Sequence, residues 1–190
     1  MRKLTLLLLL STLLLQGCGA LLVGGTATGV AVIHDRRSAG TILDDKSIQF
    51  KVAAQIAADK ELAGQSDVSV TTYNYVVLMV GSATSEHYRT RLVELASGQP
   101  GVKRVINEIQ IGPGSSLSRD TKDTYITAKV KIELLDIDLA SFDPTRVKVI
   151  TKNGIVYLMG LVTAAEADAV VEAARYIRGV ERVVKIFEYI

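Results

Sequence analysis

The chain has 190 residues, 22 Lys and Arg against 20 Asp and Glu, and a single cysteine. So small an excess of positive charge leaves no general electrostatic footprint for nucleic acid, and one thiol excludes an internal disulfide, so packing alone must hold the fold. The length suits one domain or two small ones.

At the start, Arg2 and Lys3 precede Leu4 to Leu15, about a dozen residues interrupted only by Thr5, Ser11 and Thr12. A positive end followed by a short apolar run is a secretory signal, and it falls short of the roughly 20 apolar residues that a bilayer span needs. Instead of the A-x-A pattern of an ordinary cleavage site, Leu15-Gln16-Gly17 leads directly into Cys18. This resembles a bacterial lipobox, with Gln16 departing from the small residue usual at its position. The resemblance implies that residues 1–17 are removed and that Cys18 becomes the N-terminus, carrying a thioether-linked diacylglycerol and an acyl amide. At roughly 0.8 kcal/mol per buried methylene, three acyl chains hold a protein to a membrane almost permanently. The other reading of the same residues is a secreted protein with one odd thiol. The residue after Cys18 is Gly19; since an aspartate at that position retains such lipoproteins in the inner membrane, the resemblance implies that the anchored chain lies on the periplasmic face of the outer membrane. Without Arg2 and Lys3 the charges balance at 20 against 20.

Residues 18–44 read as a lipidated tether. Gly19 to Ile33 is small and apolar, with Gly24-Gly25 and Gly29, and has too few bulky residues for a core. Such a composition gives a flexible segment near the membrane surface, or equally a short edge strand or nascent helix. The polar stretch His34-Asp35-Arg36-Arg37-Ser38 then marks where ordered structure begins. His34 has no second His, Cys or carboxylate cluster at metal-ligand spacing.

The remainder repeats itself. Ile48, Val52 and Ile56 match Ile126, Val130 and Leu134 at an offset of 78; Val68, Val70, Val77 and Gly81 match Val147, Val149, Val156 and Gly160 at 79; Gly101, Val102 and Val105 match Gly179, Val180 and Val183 at 78. The units are residues 45–112 and 123–190, joined by a linker over 113–122 that opens, directly after Gly112, with Pro113-Gly114-Ser115-Ser116.

Within a unit, apolar residues four apart define the buried stripe of a first helix. Val68-Ser69-Val70 and Val147-Lys148-Val149 alternate as strands do. Asn153-Gly154 favours a type I′ turn, so Ile155 to Met159 pairs back as a hairpin; the first copy has Asn74-Tyr75, losing glycine's easy positive φ. A second helix runs from near Ser85 to Ser97 and from Ala164 to Ile177, the latter opened by Thr163 and Glu166 as a capping box. Gly98 and Gly179 lie at helix ends. Val102 to Ile109 and Val180 to Phe187 supply third strands. Each unit is therefore αββαβ, a three-stranded mixed sheet covered by two helices, and the chain is of the α+β class.

Two αββαβ units with Val-x-Val, a hairpin closing on Leu158-Met159-Gly160 and a Gly-Val-x-x-Val turn into the last strand resemble the BON domain family over nearly all of residues 45–190. Together with the lipobox, Asp35-Arg36-Arg37-Ser38 and the final Phe187-Glu188-Tyr189-Ile190, the resemblance implies a non-enzymatic protein without a cofactor. It further implies binding to anionic phospholipids (phosphatidylglycerol, cardiolipin), support of outer-membrane integrity, and accumulation at division sites.

The residues themselves suggest where lipid binds. At roughly 100° per residue, Val130 and Leu134 fall within roughly 80° of Ile126, whereas Leu135, Ile132 and Tyr125 fall roughly 180° to 260° round. This second apolar stripe points away from the core, flanked by Lys129 and Lys131. An aromatic, two aliphatics and snorkelling lysines suit an interfacial helix. The matching positions of the first copy are Ser47, Ala54 and Ala57, too small to insert, so only the second unit is expected to touch membrane. Asp136, Asp123 and Glu133 oppose an anionic surface, and Ile132 and Leu135 could alternatively pack against the first unit.

Other chemistry is weakly signalled. His87 beside Glu86 reads as a solvated helical histidine, Ser115-Ser116 is no G-x-S-x-G elbow, and Arg175 with Arg178 reads as a solvated face. The competing function is a periplasmic adaptor without lipid affinity, touching cell-wall amidase regulators or the outer-membrane assembly machinery through exposed sheet edges.

Overall fold

The computed structural model describes residues 35–190; the signal segment, Cys18, His34 and most of the tether lie outside them. Helix α1 (Ala39–Ala58) leads into strands β1 (Ser66–Tyr73) and β2 (Val76–Ala83), helix α2 (Glu86–Ser97) and strand β3 (Arg104–Ile111). Helix α3 (Leu117–Leu135), β4 (Val147–Lys152), β5 (Ile155–Val162), α4 (Ala164–Arg175) and β6 (Arg182–Tyr189) repeat the order. In each sheet the middle strand pairs antiparallel with its hairpin partner and parallel with the last strand, β1-β2-β3 and β4-β5-β6. The α+β architecture of two mixed sheets is thus as the repeat indicates.

Helix starts are set by caps. Ser38 accepts a hydrogen bond from Thr41 N and opens α1 inside the stretch expected as tether, and Ser116 does the same for Arg119 N, opening α3 inside the expected linker. A serine there satisfies one of the four backbone donors that a helix start leaves unpaired. Both bonds of the Thr163–Glu166 capping box form, and α4 ends at Arg175, two residues before Ile177. The four-residue stripes face inward: Ile48 and Val52 pack with Val77, Met79 and Leu92, and Ile126, Val130 and Leu134 with Val156, Leu158 and Val170. Each fully buried aliphatic side chain contributes about 1.5 to 3 kcal/mol of transfer free energy.

The two hairpin turns are alike despite their sequences. Asn74 and Tyr75 have φ of 48° and 66°, Asn153 and Gly154 of 54° and 74°, so Tyr75 occupies a left-handed conformation that costs a side-chain-bearing residue about 1 kcal/mol. A buried carboxylate holds each turn. Asp45 accepts from Asn74 N at 2.7 Å and Tyr75 N at 2.8 Å, and Asp123 accepts from Asn153 N at 2.7 Å and Gly154 N at 2.9 Å.

A third apolar cluster joins the units. Tyr73, Val76, Leu78 and Val80 pack against Ile155, Tyr157, Met159 and Ile186. These side chains alternate with those facing the helices, so each sheet is covered by helices on one face and by the other sheet on its second face. Residues of β2 are buried throughout, as strands buried on both sides are. Polar contacts seal the rim: Tyr73 Oη donates to Arg146 O and accepts from Leu161 N, and Asn74 Nδ2 donates to Glu188. Burial and the Glu108 charge push the Tyr157 hydroxyl up to about 12.

The polar segment ahead of α1 grips both units. Arg36 forks onto Glu166 at 2.6 and 2.9 Å and also donates to Leu161 O, while Arg37 bonds Asp45 at 2.7 Å and lies over the Tyr73 ring. Glu166 is buried at the start of α4, and although desolvation opposes it, the Arg36 and Thr163 hydrogen bonds hold its pKa below the ordinary carboxylate value.

Candidate lipid-binding site

Helix α3 is long enough, at 19 residues, to carry one face into the core and another into solvent. Its inner residues are sealed, while Tyr125, Ile132 and Leu135 are 59%, 50% and 68% exposed. Ile132 and Leu135 therefore do not lie beneath the first unit. Lys129 and Lys131 are exposed, and the Lys129 ammonium stands 5.9 Å from the centre of the Tyr125 ring. All five side chains stand on the accessible surface of one helix, Tyr125, Ile132 and Leu135 along the stripe and Lys129 and Lys131 on its two flanks.

One of the three opposing acidic groups, Asp123, leaves that face, whereas Asp136 stays exposed next to Leu135. Asp123 is buried beneath the β4–β5 turn, and Asp136 lies past the last helical residue as its cap. Glu133 stays exposed.

Beside the stripe, α3 and α1 border a groove of about 590 Å³, lined among others by Lys131, Ile132, Leu135, Ile42, Lys46 and Lys148. Lys148 comes from β4, on the face opposite Val147 and Val149, and burial together with the charges of Lys46 and Arg37 lowers its pKa to about 8. Sequence periodicity places Lys148 as an outward strand residue; only the stacked sheets reveal that its surroundings are partly dry.

The contrast between the halves is narrower than positional matching indicates. Ser47, Ala54 and Ala57 are small and exposed as expected, but Leu43 and Phe50 on α1 are 70% and 74% exposed. They escape the comparison because their counterparts are Thr121 and Ala128, which do not belong to the α3 stripe.

The weaker candidates are surface groups. His87 is exposed and meets the Tyr88 ring edge-on, and Arg175 pairs with Glu172 at 3.1 Å. Among the described residues there is no cluster of metal-binding side chains and no helix long and apolar enough to cross a membrane.

The BON domain profile matches residues 44–113 and 122–190. The chain is 36% identical over 184 residues to "Outer membrane lipoprotein DolP" of Haemophilus influenzae, covering 97% of this chain and 94% of that protein. It is 37% identical to "21 kDa hemolysin" of Actinobacillus pleuropneumoniae (82% and 79% covered) and 30% identical to "Osmotically-inducible protein Y" of Escherichia coli (83% and 78%). With both αββαβ units matched and a relative aligned along almost its whole length, the chain belongs to the BON domain family, as a tandem pair of such domains in an outer-membrane lipoprotein.

Proposed function

We propose that this protein, tethered through acylated Cys18, binds anionic phospholipid with the outer face of α3 and so supports outer-membrane integrity, gathering at division sites. The observation that carries the reading is the exposure of Tyr125, Ile132 and Leu135 on one helix whose other face is locked into the core. Tyrosine sits at headgroup depth, the two aliphatics enter the acyl boundary, and Lys129 and Lys131 reach phosphate. Three partly inserted side chains at about 1 to 2 kcal/mol each give only a millimolar to sub-millimolar affinity. The acyl anchor supplies the missing strength by keeping α3 at high effective concentration beside the leaflet.

The test uses residues 36–190, which hold all three apolar clusters. Tyr125→Glu with Leu135→Glu is expected to abolish co-sedimentation with phosphatidylglycerol or cardiolipin vesicles at an unchanged circular dichroism spectrum. Undiminished sedimentation of the folded double variant rejects the reading. The adaptor reading draws on Leu43 and Phe50, an exposed apolar pair on α1; it is favoured if wild-type protein stays in the supernatant at low salt.

A further inference from the structure

The groove between α1 and α3 combines features that the fold itself does not use. Among the described residues, Lys148 makes one hydrogen bond, a long one of 3.4 Å to Thr72 O, and no ion pair. Thr72, which also lines the groove, keeps its hydroxyl buried without a hydrogen-bond partner. A cation drawn partly out of water without a carboxylate opposes folding, so Lys148 is not explained as a stabilising element. The surrounding charges are unbalanced. Lys46 from α1, Lys131 from α3 and Arg37 face the same space, and the one carboxylate among them, Asp45, is already engaged by Arg37 and two turn amides. One wall is apolar, formed by Ile42, Ile132 and Leu135, and it is continuous with the exposed stripe of α3.

We propose that this groove seats a single anionic phospholipid drawn from the leaflet, its phosphate held by Lys148 with Lys46 and Lys131 and its acyl chain lying along Ile132 and Leu135. The inference rests on the lipid-binding reading of α3 and deepens it, because a stripe alone gives adsorption to a surface, whereas the groove gives a defined place for one headgroup. A phospholipid fits better than a free anion because a small phosphate leaves the apolar wall uncovered. Both units contribute to the seat, so it exists only in the stacked pair.

Residues 36–190 with isotope-labelled lysine are titrated with dihexanoyl phosphatidylglycerol below its micelle concentration, with glycerol phosphate and dihexanoyl phosphatidylcholine as parallel arms. Phosphatidylglycerol is expected to shift the Lys148 side-chain resonance, and Lys148→Met to weaken monomeric-lipid binding at least tenfold, while His87→Ala, an exposed change on α2 away from the groove, leaves it within twofold. Lys46→Glu, an exposed change, gives the same loss and serves if Lys148→Met does not fold. Wild-type affinity in both groove variants overturns the seat, as does an equal response to glycerol phosphate, which indicates a free-phosphate site. If vesicle binding is lost in the Tyr125 and Leu135 double variant but kept in both groove variants, the groove falls and the helix reading stands. If monomeric lipid moves Lys148 while the double variant still sediments with vesicles, the helix reading falls and the groove stands.

Discussion

Lys148 shows how a single side chain reports on its surroundings. Its pKa is lowered from 10.5 to about 8, chiefly by desolvation and then by Lys46 and Arg37. The unfolded chain therefore keeps a proton between these values that the folded chain has released, and stability contributed by this group rises with pH across that window. Below pH 8 the cost of holding the ammonium in the fold is fully present, on the order of 3 kcal/mol. Lys148→Met is expected to unfold at a higher denaturant concentration than wild type at pH 7, with the gap closing by about pH 10.5; chemical denaturation across this range measures it. Substitution of a buried charge by an apolar group of similar length commonly has this sign. A variant that gains stability while losing lipid marks a residue kept at a cost to the fold. None of this was visible in Val147-Lys148-Val149, because alternation assigns a residue to a face and says nothing of what covers that face.

Between helix and hairpin, the matched pair Asp45 and Asp123 does most to align elements. Each reaches from the first helix of its unit to the two turn amides, which pins the helix to the sheet end and, in the first unit, holds Tyr75 in a left-handed conformation. Asp123→Ala leaves two amides of the β4–β5 turn unpaired and is expected to cost about 2 to 4 kcal/mol, read as a lowered midpoint in urea. The pair sits at the same 78-residue offset as the apolar stripe and was open to sequence reading, but acidic residues near a helix start are ordinarily read as solvated. The elements themselves were legible: stripes four apart, Val-x-Val alternation, the Asn-Gly turn and the Thr163 capping box each have a local cause. Helix starts at Ser38 and Ser116 were less so, since serine caps are common in tethers and linkers too. The α3 stripe was legible from its angles alone, whereas Leu43 and Phe50 were missed by comparing only the equivalents of its three positions.

For the molecule as a whole, the decisive contact is sheet on sheet. The runs Val76 to Val80 and Ile155 to Met159 are apolar at every position, a pattern that signals strands buried on both faces, and in the structure the second face of each is covered by the other copy. Neither unit is complete alone. Residues 113–190, expressed without the first unit, expose Ile155, Tyr157, Met159 and Ile186 together, and are expected to self-associate or bind a hydrophobic dye in ultracentrifugation and fluorescence assays where residues 36–190 remain monomeric and dark. The seat proposed for lipid belongs to this level as well, since Lys46 and Lys148 come from different units.

The grip of Arg36 on Glu166 and Leu161 bears on mechanics. A pull arriving along the backbone from the membrane side meets, at residue 36, a fork fastened to the second domain, and only one residue later a bond from Arg37 to the first. Tension is therefore divided between both halves before it reaches the opening turn of α1, and that helix is loaded as part of a block instead of being peeled from its end.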